Sequence, residues 1–439
     1  MMVGMLAAMS SALPSAFSQA TVAARDRGDA CPGTLRLHAA DDGALARVRI
    51  PGGVLGVVQA EALADAARRL GDGDLQLTSR GNVQLRGLRD GCGAELAGLL
   101  DEAGLLPSPT HERVRNIVAS PLSGLDGRGV RDVRAWLSDL DAALCASGPA
   151  RELSGRFLFA LDDGRGDMTG LGADVAVRAT DDDALVALSS PDAVWRVAAH
   201  DAPRAALLAA EAFLDVARES GARVWRVAEL AVPARVLTRA VERRLSDAGV
   251  GHARESAVTV RADPPSPGLT GNALCAHVPL GRLTGPQWRE LTGVATGTPD
   301  AELRLTPWRG VVVPVRGLDA ADTADALGRL TAAGLVTDAD SPWPRVGACV
   351  GRPGCAKAHA DVRADASGAL PAAGRSPLPL YWSGCERRCG HPRGERVDLI
   401  ALPEGGYRLT VAGPPDRPAR TMVLTDPSEL ATALAAITS

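Results

Sequence analysis

The sequence predicts an α+β protein built twice: two small ferredoxin-like half-domains, each followed by a larger α/β unit. Three observations carry this reading. Landmarks recur in the same order and at the same spacing in both halves of the chain. Apolar residues alternate between strand and helix periods within each copy. Four of the eight cysteines crowd into the last quarter, as expected if one unit has been specialised for chemistry. At 439 residues the chain also exceeds what one core ordinarily holds.

The repeat is the firmest of these. The interval from Pro51 to Thr78, in Leu-Gln-Leu-Thr-Ser-Arg-Gly, equals that from Pro279 to Thr306, in Leu-Arg-Leu-Thr-Pro-Trp-Arg-Gly. Gly87 and Gly317, each in Arg-Gly-Leu, lie equally far ahead of Gly104 and Gly334, each in Ala-Gly-Leu. Ala, Gly and Leu are common enough for one chance match, but not for several in register.

Within the first copy, residues 45–50 alternate as a strand. Gln59 to Leu70 places Ala60, Leu63, Ala64 and Ala67 on one helical face and stops at Gly71. Leu75–Thr78 and Val83–Leu85 read as further strands, and Glu95 to Ala103 as a helix closed by Gly104. Val130, Val133, Leu137, Leu140 and Leu144 predict a long helix in the unit that follows. The two larger units end in similar strands, at Asp174-Val-Ala-Val and Asp398-Leu-Ile-Ala. Arg204–Glu219 and Pro233–Leu245 read as helices between the halves, and Pro-Pro-Ser-Pro at 264–267 marks entry into the second. The expected division is a disordered extension over 1–30, half-domains at 31–112 and 269–339, and a first α/β unit at 113–200. A helical connection at 201–268 and a cysteine-bearing unit at 340–439 complete it.

Composition narrows function. A net charge of −4 gives no basic field, which argues against nucleic acid. No stretch reads as a membrane span, and cytoplasmic location is the expectation. Residues 1–20 are apolar, yet the first basic residue, Arg25, follows that run, whereas a secretory signal begins with basic residues. An extension or an early start codon suits the segment better, with a signal as the alternative. Lys357 is the sole lysine against 47 arginines, so arginine in place of lysine carries little meaning here, while a missing cation carries more.

Cys31, Cys92, Cys145 and Cys275 are scattered and read as reduced thiols. Cys349-x5-Cys355 and Cys385-x3-Cys389 read as ligands. The spacing leaves an iron–sulfur cluster, a zinc site and disulfides open, although zinc usually pairs cysteines two to four residues apart.

These cysteine segments resemble the sulfite/nitrite reductase superfamily. So do Leu-Thr-Ser-Arg80-Gly and Arg113-Val-Arg115-Asn116. Ser154-Gly-Arg156-Phe-Leu158-Phe-Ala-Leu-Asp-Asp and the opening Cys31-Pro-Gly-Thr-Leu-Arg-Leu resemble the precorrin-3B synthases within it. The likeness covers about residues 31–412. It implies a sulfite/nitrite reductase-like architecture and a [4Fe–4S] cluster on Cys349, Cys355, Cys385 and Cys389. In that superfamily the counterpart of Cys389 also bridges to sirohaem iron. It further implies catalytic roles for Arg80 facing a macrocycle, Arg115 on its distal face, and Arg156 in place of the first of two anion-gathering lysines. Leu158 replaces the second lysine and would make the pocket floor apolar, better suited to an organic ring than to a small anion.

The implied activity is oxygen-dependent monooxygenation of precorrin-3A to the hydroxy-lactone precorrin-3B, in cobalamin synthesis, with O2 and NADH as co-substrates. The sequence has no Gly-x-Gly-x-x-Gly fingerprint after a strand, so a separate reductase is expected to deliver the electrons. Sirohaem, a mononuclear iron or the substrate alone could complete the site. An assimilatory sirohaem sulfite or nitrite reductase is the alternative function, and a non-catalytic electron-transfer scaffold a third. His359 and His391 flank the cysteines as iron ligands or loop caps, and Lys357 is a candidate partner for a substrate carboxylate or a surface charge.

Overall fold

Neither half-domain closes its own sheet. In the first, His38–Ala40, Gly43–Val48, Val83–Leu88 and Leu75–Leu77 lie side by side, and the fifth strand, Arg282–Leu283, comes from the second half. In the second, Gly268–Thr270, Ala273–His277, Gly310–Pro314 and Glu302–Leu305 are completed by Val54–Gly56 from the first. The exchange follows from matched turns at Pro51–Gly53 and Pro279–Gly281, which put Gly52, Gly53, Leu280 and Gly281 at positive φ and throw each next strand onto the partner sheet. At Gly53 only hydrogen fits, because a Cβ would sit 1.9 Å from the Leu305 carbonyl oxygen. Helices Val57–Leu70 and Gly285–Thr296 then pack together, with Trp288 Nε1 donating to the Ala60 carbonyl at 2.8 Å. One apolar core runs through both halves. On the first helix the buried face is Ala60, Leu63, Ala66, Ala67 and Leu70; Ala64 is only half-buried, one position off the expected stripe.

This architecture is a computed structural model, and it describes residues 29, 31–190, 193–256, 259–392, 394–412, 420–426 and 429–438. The expected disordered extension lies outside the described residues except at its end. There Asp29 is anchored: its carboxylate accepts hydrogen bonds from Cys31 N–H, the Ser154 hydroxyl and Gly155 N–H at 2.8–3.0 Å. Burial opposes ionisation of Asp29, but these donors and Arg113 outweigh it and hold the carboxyl below its ordinary range.

The two larger units repeat each other more deeply than the sequence suggests. In one, Ile117–Ala119, Phe159–Asp162 and Val175–Ala179 run parallel, followed by antiparallel Asp183–Leu188 and Val194–Ala198. In the other, Val346–Ala348, Leu380–Ser383 and Arg396–Ala401 run parallel, followed by antiparallel Tyr407–Ala412 and Thr421–Leu424. Helix Arg134–Ala146 packs on the first of these sheets through Trp136, Leu137, Leu140 and Leu144. Val130, expected on that face, lies ahead of the helix and is 49% exposed; its N–H donates to the Asp163 carbonyl, which holds it in the loop.

The 201–268 segment is not a connection between cores. Helices Ala202–Glu219 and Ala234–Asp247 bury Ala206, Ala210, Phe213, Leu237 and Val241 in the core of the first α/β unit, and strand His252–Arg254 extends its sheet. Their apolar faces require that sheet, and spacing along the chain cannot say which sheet a helix will cover. Among the described residues no helix is long and apolar enough to cross a membrane.

Candidate active site

The parallel pairing of Val346–Ala348 with Leu380–Ser383 brings two strand ends together, and the cysteines follow directly from them. Cys349 sits one residue past the first strand, and Cys385 follows the second through Gly384. Gly384 N–H donates to Cys349 Sγ at 3.2 Å, and a Cβ at Gly384 would lie 2.6 Å from that of Ala358. A bare glycine is what lets the amide reach the sulfur. The Cys355 loop is tied down by Arg352, whose Nε donates to the Ala358 carbonyl at 2.7 Å, and the Tyr381 hydroxyl donates to the Cys389 carbonyl at 2.7 Å.

All eight cysteines are free, which removes the disulfide alternative. A tetrahedral zinc with bonds of about 2.3 Å would draw its sulfurs to within about 3.8 Å of one another. Among the described residues no three cysteine sulfurs lie within 4.8 Å of each other. The thiols nonetheless feel one another. Burial first, then Cys349, Cys385 and Cys355, raise the Cys389 thiol, with Arg387 opposing. Four thiolates so placed need cationic metal to be stable together, and a [4Fe–4S] cluster on Cys349, Cys355, Cys385 and Cys389 fits them.

These cysteines form one wall of a cavity of about 1320 Å³ between the half-domains and the two larger units, beyond the roughly 300–1000 Å³ of ordinary small-molecule sites. Its lining is strongly cationic: Arg47, Arg80, Arg86, Arg156, Arg226, Arg309, Arg363, Arg387, Arg388 and Lys357 face it, against Asp41 and Glu229. Several of these cations have little local compensation. Arg80 donates only a long bond, 3.4 Å, to the Gly155 carbonyl, and burial followed by Arg226 and Arg49 pushes its guanidinium down to about 10. Arg363 is lowered chiefly by burial, and its Nε has no hydrogen-bond partner. Arg47 and Arg49 both donate to Cys31 Sγ, at 3.7 and 3.2 Å. Guanidinium groups held apart from carboxylates are poised to take them from a ligand.

The sequence-derived candidates divide. Arg80 and Arg156 line the cavity, with Arg156 stacked 4.7 Å above the Trp225 ring. Arg115 does not. Its Nε and NH2 bond both oxygens of Asp141 at 2.8 and 2.6 Å, and its NH1 bonds the Leu105 carbonyl, so it braces the first α/β unit instead of reaching a macrocycle. Leu158 does not form a pocket floor either; it is 3% exposed within an apolar cluster of Val118, Ala160 and Met168. Leu158 precedes the strand Phe159–Asp162 and packs into this cluster, not onto the cavity wall. Lys357 and His391 border the cavity, whereas His359 holds its loop by donating its backbone N–H to the Gly384 carbonyl at 2.8 Å.

Sequence reasoning missed Arg47, Arg226, Arg309 and Arg363. Arg309 was within reach, because it closes the second copy of the Leu-Thr motif that carries Arg80 in the first.

Residues 38–103 and 266–333 each match the nitrite/sulfite reductase ferredoxin-like half domain. The ferredoxin–nitrite reductase of Synechococcus elongatus is 28% identical over 81% of this chain and 76% of its own. The precorrin-3B synthase of Sinorhizobium sp is 26% identical over 92% and 87%. The solved structure of the Mycobacterium tuberculosis NirA protein superposes with a TM-score of 0.66 at 17% identity, over 89% of this chain and 79% of that one. The fold is the duplicated sulfite/nitrite reductase architecture, and the similarities support an oxidoreductase.

Proposed function

We propose that this chain is a precorrin-3B synthase, which uses O2 to insert one oxygen atom into precorrin-3A and close the hydroxy-lactone of precorrin-3B. The carrying observation is the cavity: large enough for a flat macrocycle, lined by guanidinium groups from both half-domains and both larger units, and bounded by the cysteine cradle. Arg80, Arg156, Arg309 and Arg363 would fix the carboxylate arms of the ring, excluding water from them and setting which edge meets the cysteine wall. The cluster held by Cys349, Cys355, Cys385 and Cys389 would supply one-electron transfer. One oxygen atom enters the substrate and the other leaves as water, consuming two electrons and two protons. These electrons would come from NADH through a separate reductase. Cys389 is exposed beside Arg387, which suits delivery from outside. Reduced cysteines suit the cytoplasm.

A sirohaem nitrite or sulfite reductase is the second reading, favoured by the nitrite reductase relatives and by the position of Cys389 on the cavity wall. Position 158 does not decide between the two readings, because its leucine is buried in an apolar cluster and is not on the cavity wall. Purified anaerobically and reconstituted, the protein should consume O2 with precorrin-3A and oxidise reduced methyl viologen only slowly with nitrite or sulfite. Brisk anion reduction, strong Soret and α bands and no O2 uptake would establish the reductase instead.

A further inference from the structure

The first α/β unit repeats the strand ends that carry the cysteine cradle, with a serine in place of its first cysteine. Ala119 pairs with Leu161 as Ala348 pairs with Trp382, so Ser120 stands where Cys349 stands. The hydrogen bonds match. Ser120 N–H donates to the Leu161 carbonyl and Cys349 N–H to that of Trp382, both at 3.0 Å. Asp163 N–H donates to Ser120 Oγ at 3.1 Å, as Gly384 N–H does to Cys349 Sγ at 3.2 Å.

The loop that follows is Asp162-Asp-Gly-Arg-Gly-Asp167, and oxygens of Asp162, Asp163 and Asp167 lie within 4.8 Å of one another. All three side chains are at least 96% buried. Among the described residues Asp162 accepts hydrogen bonds only from backbone N–H groups, of Gly164, Gly166 and Met168. Asp163 shares Arg165 with Asp126. Asp167 Oδ1 accepts the Ser120 hydroxyl at 2.6 Å, while its Oδ2 is buried with no hydrogen-bond partner, 4.0 Å from Arg165 Nε. Three carboxylates, of Asp126, Asp163 and Asp167, therefore share the Arg165 guanidinium, with that of Asp162 beside them. An unpaired buried charge is strongly unfavourable, and the orphaned oxygen marks where a positive charge belongs.

We propose that Asp162, Asp163, Asp167 and Ser120 form a hard divalent-cation site, for Ca²⁺ or Mg²⁺, in the twin position of the cluster cradle. Carboxylate and hydroxyl oxygens are hard donors and suit a hard cation. The site is independent of what the cavity binds. It would lock the Asp162–Asp167 loop, whose continuation, Gly172, reaches the cavity wall.

The test is equilibrium dialysis of the chelator-washed, cluster-loaded protein against Ca²⁺ or Mg²⁺, with elemental analysis. The wild type should retain one equivalent of one of these ions. Asp167→Asn should bind it at least about tenfold more weakly, and Ser120→Ala also more weakly, with iron and sulfide unchanged in both. Retention of neither ion by the wild type would overturn the proposal without recourse to any variant, leaving a proton on Asp167 to settle the charge. Equal retention by wild type and a folded Asp167→Asn would overturn it as well.

Discussion

Replacing Arg80 with methionine should make the protein more stable and a poorer binder at once. Arg80 sits among Arg47, Arg49 and Arg226, and its guanidinium is pushed well below its ordinary value, down to about 10, first by burial and then by Arg226 and Arg49. It stays protonated at neutral pH, and that displacement corresponds to about 3 kcal/mol of unfavourable charge placement. Methionine keeps much of the apolar stem, so packing is largely preserved. The lost bond to the Gly155 carbonyl, long at 3.4 Å, returns about 1 kcal/mol of the gain at most. The ligand-free variant should therefore gain about 1–2 kcal/mol, seen as a higher urea midpoint. A carboxylated tetrapyrrole should bind about tenfold to a hundredfold more weakly, because a charge-assisted contact is worth about 1.5–3 kcal/mol. The assay pairs urea unfolding with a fluorescence-quenching titration using uroporphyrin. A variant that unfolds more easily and binds uroporphyrin normally would show that Arg80 is a structural cation and that the ligand lies elsewhere.

Four further outcomes follow from particular contacts. Cys355→Ser should lose most bound iron and sulfide while Cys92→Ser retains them, because only the former borders the cavity; full iron in Cys355→Ser would contradict the cluster assignment. Arg115→Ala should cost about 2–4 kcal/mol by stranding Asp141, with uroporphyrin affinity unchanged, and the reverse pattern would return Arg115 to the pocket. Leu158→Lys should cost several kcal/mol by burying an ammonium among Val118, Ala160 and Met168, without creating sulfite binding. A normally stable, sulfite-binding variant would place position 158 in the cavity after all. His277 is held down to about 4, chiefly by burial and then by Arg309, against 6.5 in the unfolded chain. The unfolded state then binds the extra proton between those values, so stability should fall by about 3 kcal/mol as pH drops from 6.5 to 4. His277→Gln should flatten that part of the urea-midpoint profile, and an unchanged slope would assign the acid sensitivity to other groups.

The amino-acid sequence by itself determined the duplication, the order of its main strands and helices, and the grouping of four cysteines in the last unit. Each is written in local spacing: the step from Pro51 to Thr78 recurs from Pro279 to Thr306, and the cysteines stand on short loops after apolar runs. Arg80 and Arg156 were legible because motif residues on either side fix their place. What the tertiary structure alone decided is which surfaces meet. The swap of Val54–Gly56 and Arg282–Leu283 between half-domain sheets leaves no mark in periodicity, since a strand reads the same whichever neighbour it pairs with. The helices of the 201–268 segment showed their apolar faces but not the sheet those faces would cover. Arg115 and Leu158 stood in the right motifs and still lie outside the cavity, because a nearby Asp141 captured one and an apolar cluster with Val118, Ala160 and Met168 took up the other. The kinship of the two strand ends became visible only when Ser120 and Cys349 proved to occupy the same place in two matching hydrogen-bond patterns, which no comparison of serine with cysteine along the chain would suggest.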